Sequence, residues 1–351
     1  MHEIRLAQKS DRAALIQFID QHWKKNHIFV TSDEIFDWQH FDRISGKYNF
    51  IIGVERATQA IHGVLGFIPL AHFDSEIPFE RLCWMAIWMT QDAARGHKLG
   101  RRLLSYLEES VKPDVISTVG ASEMTLAMYQ ARGYQTGRLS QYYILNSEQS
   151  NFSLIAVKDT KRIPDKAGTS DANKRLQPAF ENDIIADTEN CFRAQIDFPP
   201  KSPRYLINRY LRHPVYHYQI YLIRDRSETT GIVVTRICSH AGAKAIRIVD
   251  FIGPSDALSG LCDEWNYLLK STNAEYIDFY NQGIDDNHLR ASGFVRREMG
   301  DAIIVPNYFE PFFKANVEID YCISLPPGQA YRIVKGDSDQ DRPAQNATSM
   351  F

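Results

Sequence analysis

The sequence predicts an α/β (α+β) protein of two tandem domains, each a mixed, mostly antiparallel sheet flanked by helices. Three observations predict it. The chain has 351 residues, more than one core usually holds at about 100–200 residues per domain. Short apolar runs of strand type alternate with stretches of helical spacing along its whole length. A polar, turn-rich segment at 159–177, containing Pro164, Gly168, Thr169, Ser170, Asp171 and Asn173, separates two halves with the same order of elements. The expected parts are a domain at 1–158, a linker at 159–177, a second domain at 178–334 and a polar tail at 335–351. The tail is expected to be flexible, because Gly336, Asp337, Ser338, Asp339, Gln340 and Asp341 form an acidic, turn-rich run.

In the first half a strand at 3–8 precedes a helix that starts at Ser10, a natural N-cap, and repeats Leu15, Ile16, Ile19 and Trp23 at helical spacing. A second helix lies at 33–41. Strands at 49–56 and 61–70, joined by a short polar connection, read as an antiparallel hairpin. Residues 82–90 carry no charge, as suits a central strand buried on both faces. From Leu99 the leucines 103, 104 and 107 trace one helix face, while Arg101, Arg102, Ser105 and Glu108 take the other. A strand at 114–119, a helix at 122–132, the turn residue Gly133 and a strand at 142–146 complete this half. The second half runs helices at 183–192 and 202–211, strands at 216–224, 231–239 and 245–252, a helix at 258–270, a strand at 275–280 and a helix at 287–292.

Composition narrows the function classes. At 44% hydrophobic and 24% charged, the chain is neither disordered nor fibrous in type. Forty basic against 43 acidic residues give a net charge of -3, with no general attraction for a polyanion, so neither nucleic acid nor a membrane surface is an expected partner. No run reaches the roughly 18–20 apolar residues of a membrane span. The start, Met1 to Arg5, lacks an apolar signal region, and a cytoplasmic location is expected. Cys83, Cys191, Cys238, Cys262 and Cys322 are odd in number and scattered, implying buried small hydrophobes rather than disulfides or a metal site. Homo-oligomer formation is left open.

The chemistry concentrates where the 82–90 strand turns into the next helix. A helix start offers unpaired backbone N–H groups and the positive end of a dipole, both suited to phosphate. Here Gly96 and Gly100 permit close approach, and Arg95, His97, Lys98, Arg101 and Arg102 supply cationic side chains that match a diphosphate. A solvated basic helix start would read the same way. Neither a Walker loop nor a dinucleotide fingerprint is present.

These residues resemble the GNAT acyltransferase superfamily, whose pyrophosphate loop, Arg/Gln-x-x-Gly-x-Gly/Ala, corresponds to Arg95, Gly96, His97, Lys98, Leu99 and Gly100. Lys98 stands where the family usually has its middle glycine. A second landmark, Tyr129-Gln130-Ala131-Arg132-Gly133-Tyr134, looks like the family's Leu-Tyr-x-x-x-Gly-Phe/Tyr signature, with Ser122 where an asparagine often opens that helix. The second half matches only in order of elements. Its equivalent turn, Ile252-Gly253-Pro254-Ser255-Asp256-Ala257, has an acid and no base, so coenzyme binding is expected to be lost there. More narrowly, the chain resembles tandem two-domain sugar N-acyltransferases of bacterial surface-polysaccharide (lipopolysaccharide, O-antigen) biosynthesis. That likeness rests on His27-Ile28, Asp37-Trp38-Gln39-His40, Arg212-His213-Pro214, Val249-Asp250-Phe251 and the Gly336 to Pro343 run.

The resemblance implies acyl-coenzyme A, as acetyl- or 3-hydroxybutyryl-coenzyme A, for the donor and a nucleotide-linked, dTDP-type amino-dideoxy sugar for the acceptor, with no metal. It implies a bulged strand whose N–H groups, mapped to Trp88 and Met89, face the thioester carbonyl, and Tyr129 as proton donor to the leaving thiolate. Arg95, Gly96, His97, Lys98, Leu99, Gly100 and Arg101 would hold the coenzyme. A sugar amine is partly neutral near pH 7, so the base is open between a water relay and His72. On the acceptor side stand His27, Trp38, Gln39, Arg236, Asp250 and Asn281. Asp250 reads equally as a structural ion pair with Arg236 or as a holder of the sugar.

Overall fold

The structure, a computed structural model, describes residues 1–92, 94, 98–157, 168–195 and 197–343. Among the described residues two compact units are formed, one from Met1–Thr136, Tyr321–Leu325, Arg342 and Pro343, the other from 137–320 and Pro326–Asp341. Among the described residues no helix is long and apolar enough to cross a membrane.

The first unit opens with β1 (His2–Gln8), α1 (Arg12–Phe18), α2 (Ile28–Thr31), α3 (Asp33–His40) and β2 (Phe41–Asp42). It continues through β3 (Lys47–Glu55), β4 (Ile61–Pro69), β5 (Cys83–Thr90), α4 (Leu99–Tyr106), β6 (Ile116–Val119) and α5 (Glu123–Gln130). Strands β1, β3, β4 and β5 pair antiparallel in the order β1-β3-β4-β5, and β6 joins β5 in parallel. Ser10 is not the cap expected of it. Asp11 organises the start of α1 instead, because its carboxylate accepts from the Gln8 N–H at 2.7 Å and from Arg5 at 2.6 and 2.9 Å. Helix α4 buries the predicted leucines. Its first turn lies close on the sheet because Gly53 and Gly63 leave room: a Cβ on Gly53 would come within 2.7 Å of Leu99.

The chain passes through β7 (Gln135–Arg138) into the second unit, with β8 (Ser140–Leu145), β9 (Ala156–Val157), β10 (Lys174–Ala179), α6 (Glu181–Asp187), α7 (Glu189–Ala194) and α8 (Pro203–Leu206). There follow β11 (Tyr218–Asp225), β12 (Glu228–His240), β13 (Ala243–Ile252), α9 (Cys262–Thr272), β14 (Tyr276–Gln282), α10 (Asp286–Ala291), β15 (Val295–Arg296), β16 (Ile303–Ile304), β17 (Tyr308–Phe309), β18 (Phe312–Phe313), β19 (Asp320–Ile323) and β20 (Ile333–Val334). The second sheet runs β10-β11-β12-β13-β14-β8-β15. One face packs Ile246, Ile248, Ile277 and Phe279 against Trp265, Leu268 and Leu269 of α9. By strand alternation the opposite face carries Arg236, Arg247, Asp278 and Tyr280.

Three expectations about organisation change. The strand expected to close the first half is β8, which pairs with β14 from Tyr276–Leu145 to Asn281–Ser140. In return, Tyr321, Cys322 and Ile323 pair antiparallel with β6 in the first sheet. Of the linker, 159–167 lies outside the described residues, while Ser170 bridges Leu261 and β10 is an edge strand. The stretch from Lys335 to Asp341 is no exposed tail: Lys335, Asp337, Ser338, Asp339 and Asp341 are all buried. Apolar pattern identified strands but not their sheets, because sheet partners are chosen by contacts far apart in sequence. All five cysteines are free and buried, as expected.

Candidate active site

In the first unit β5 pairs with β6 at Cys83–Ile116, Trp84–Ser117 and Met85–Thr118, and the described pairing goes no further. On its other edge Leu65 faces Trp88 and Phe67 faces Met85, so Gly66 opposes both Ala86 and Ile87. That extra residue is a β-bulge, which bends the strand and sharpens its twist. The expected splay is therefore present, with its bulge at Ala86–Ile87, just before Trp88 and Met89. Those two residues pair only with β4, at Leu65 and Val64.

A groove of about 940 Å³ opens at this splayed end. Trp88 and Thr90 of β5, Lys98, Gly100 and Arg101 at the start of α4, Met124 and Met128 of α5, and Arg132 just after it line it. Lys98 adopts φ +55°, the left-handed conformation at the N-cap of α4. A lysine here costs about 1 kcal/mol that a glycine would not, and this residue lines the groove. Gly100 is not demanded by packing, since a Cβ would stand 3.5 Å from Trp88 Nε1 in ordinary contact. What it keeps open is groove. The first N–H groups of α4, at Leu99, Gly100 and Arg101, have no intrahelical partner and adjoin these cations. Anion recognition is what this arrangement can do. Arg95, Gly96 and His97 lie outside the described residues.

Tyr129 stands at the base of the splay. Its ring packs 5.9 Å from Trp88 and stacks 5.7 Å from Tyr134, and its hydroxyl reaches Met85 Sδ at 3.8 Å. Met85 is the last β5 residue paired with β6. Burial pushes the phenol well above its usual range, so Tyr129 keeps its proton at neutral pH.

The other expected residues are placed differently. His72 follows Pro69, which pairs with Cys83 at the opposite end of β5, and its Nε2–H donates to the Trp38 carbonyl at 2.7 Å. Five residues of strand at about 3.3 Å each separate Cys83 from Trp88, so His72 is a structural donor rather than a base at the splay. His27 Nδ1 accepts from Phe29 N–H and caps α2. Burial pushes its imidazole down to about 2, which makes it too weak a base for proton abstraction near pH 7. Gln39 is buried beside His40, with 3.2 Å between Nε2 atoms, and Trp38 packs on Phe73. None of His27, Trp38, Gln39 or His72 lines the groove.

In the second unit, register separates Arg236 from Asp250: Asp250 faces Val234, and Arg236 faces Arg247. Arg236 pairs with Asp341 at 2.7 Å, not with Asp250. Asp250 accepts from Lys201 Nζ on both oxygens at 2.8 Å, from the Tyr210 hydroxyl at 2.7 Å and from the Phe251 N–H. Three donors making four contacts saturate that carboxylate, leaving it no capacity for a sugar. Asn281 is buried, and its Nδ2 has no partner among the described residues.

Here too the parallel pairing of β13 with β14 stops partway, at Ile248–Phe279. The gap is filled by the chain itself. Strand β20 pairs with β14 at Asn281 and Gln282, on the edge that β8 does not use, and the Gly336 N–H donates to the Val249 carbonyl at 2.8 Å. A Cβ on Gly336 would meet Tyr210 Oη at 2.4 Å. The second splay is thus occupied by residues 333–336, which explains physically why its turn carries no basic residues. Sequence reasoning missed Lys201, Asp337, Asp341 and Lys335. Their signal was the alternation of Asp337, Asp339 and Asp341 in a half containing buried arginines and tyrosines.

The fold of this chain is similar to that of solved structures described as GCN5-related N-acetyltransferases. Two solved structures carry that description. One, from Anabaena variabilis, is 15% identical with a TM-score of 0.56, covering 92% of this chain and 72% of its own. The other, from Kribbella flavida, is 12% identical with a TM-score of 0.55, covering 92% of this chain and 71% of its own. No protein-family model matches the sequence, and no curated protein does.

Proposed function

We propose that the protein is an acyl-coenzyme A-dependent N-acyltransferase. It moves an acetyl or short hydroxyacyl group to the amine of a nucleotide-linked amino-dideoxy sugar, of dTDP type. The observation that carries the reading is the groove: it joins the basic start of α4 to Trp88 and Thr90 beyond the bulge of β5, and the buried Tyr129, which does not line it, packs on Trp88. Lys98 and Arg101 hold the diphosphate. Backbone N–H groups after the bulge, at Trp88 and Met89, stabilise the oxyanion as the neutral amine attacks the thioester carbonyl. A C–N bond forms and the C–S bond breaks. Tyr129 gives its proton to the leaving sulfur, and a water takes the one released by the amine.

The filled splay supports one acyl-coenzyme A per chain, bound by the first unit. The test is thiol release from acetyl- and 3-hydroxybutyryl-coenzyme A against a panel of nucleotide-linked amino sugars, with aminoglycosides and a peptide amine as controls. Release with one amino sugar is expected. Release only with a control amine would replace the acceptor, and coenzyme binding without release from any amine would replace the transferase by a binding protein.

A further inference from the structure

Lys335 is the chain's most anomalous charged group. It is 2% exposed, and its Nζ has no hydrogen-bond partner among the described residues. It sits between two aromatic faces, 5.7 Å from the Tyr280 ring and 5.5 Å from that of Tyr308. A buried ammonium without a counter-ion costs several kcal/mol. The nearby charges do not compensate it. Arg236 is engaged by Asp341 at 2.7 Å, and Arg247 by Asp278 through two contacts of 3.1 Å. Both of these carboxylates, Asp341 and Asp278, are thus already paired with an arginine.

A second orphan precedes Tyr308 in the chain. Asn307, 1% exposed, leaves both Oδ1 and Nδ2 without a partner among the described residues, while its carbonyl is fixed by Arg247 Nη1 at 2.7 Å. The next residue, Tyr308, is 42% exposed, so this otherwise closed cluster reaches solvent at its ring.

We propose that Lys335, Asn307 and Tyr308 form an anion site in the second unit that takes one phosphate group of the acceptor nucleotide. The ammonium neutralises the phosphate, the Asn307 amide completes its hydrogen bonding, and the Tyr308 ring offers a face to the base. Which molecule brings the phosphate rests on the acceptor reading above. Burial, with Arg247 and Arg236 nearby and only partly offset by Asp341 and Asp278, pushes the ammonium down to about 7. A bound anion favours the protonated form, so binding above pH 7 takes up a proton.

The experiment titrates dTDP, inorganic phosphate and acetate into the full chain at pH 7.5 in two buffers of different ionisation enthalpy. Expected are binding of dTDP and phosphate with proton uptake, and a loss of about 10- to 100-fold with no uptake in Lys335→Met. Without ligand, that variant should melt no lower than the wild type, because it loses an unpaired charge. Tyr308→Ala, on an exposed ring, should weaken dTDP and keep proton uptake, which tests the site even if Lys335→Met fails to fold. Failure of dTDP and phosphate to bind, binding stronger for acetate, binding without proton uptake, or dTDP affinity unchanged in either variant would each overturn the site. Thiol release is scored separately: turnover without this anion site leaves the transferase standing, and anion binding without turnover leaves the site standing.

Discussion

Lys98 combines backbone strain and charge in one residue. Replacing it with glycine should relieve the left-handed φ and raise stability by about 1 kcal/mol, while removing a cation from the groove should weaken acyl-coenzyme A binding. Thermal melts and calorimetry on Lys98→Gly read the two effects separately, and unchanged affinity would remove Lys98 from the site. Tyr129 tests the proton donor. Its hydroxyl makes only a long contact with Met85 Sδ, so Tyr129→Phe should cost under about 1 kcal/mol yet lower kcat by roughly 10²-fold or more. Coenzyme affinity should stay unchanged. Lys98, Arg101 and Tyr129 could be singled out in the sequence because they stand in short local motifs. Lys201 as the partner of Asp250 was not, since 49 positions separate the two and only strand register decides between Arg236 and Lys201.

At the scale of elements, α4 shows how the sheet prepares a helix start. Gly53→Ala should press on Leu99, lift the first turn of α4 and cost about 1–3 kcal/mol, with coenzyme binding lost alongside stability. Gly100→Val is the complementary case. A side chain there meets groove rather than core, so the fold should survive within about 1 kcal/mol while coenzyme affinity falls. Equal stability losses in the two variants, seen in denaturant melts, would contradict this division. The apolar face of α4 was readable because Leu99, Leu103, Leu104 and Leu107 repeat at helical spacing. Strand β8 was readable as a strand, but not its sheet, because Gln141, Tyr142, Tyr143 and Ile144 are compatible with either partner.

For the whole molecule, buried ionisable groups set the response to pH. His27 is held down to about 2 and His213 to about 3 by burial, and His40 is held low by the same cause. Each stays neutral in the folded state and protonates below its usual value of about 6.5 when unfolded. The unfolded chain then binds more protons, so stability should fall as pH drops below about 6.5, before carboxylates near 4 titrate. Melting temperatures measured from pH 8 to 4 check this, and a flat profile down to pH 4 would contradict it. Asp341, held low by Arg236, adds a loss at lower pH still. Asp341→Asn should cost about 3–5 kcal/mol, because Arg236 would remain buried without its counter-ion.

By itself the sequence determined the order of strands and helices along most of the chain, because helical spacing, strand runs and turn residues act over a few neighbours. Only the tertiary structure decided which sheet β8 and Tyr321–Ile323 join, that residues 333–336 fill the second splay, and that the acidic run from Asp337 to Asp341 is buried against Lys201 and Arg236. Those outcomes depend on pairing and charge compensation between residues scores of positions apart, which no local pattern records.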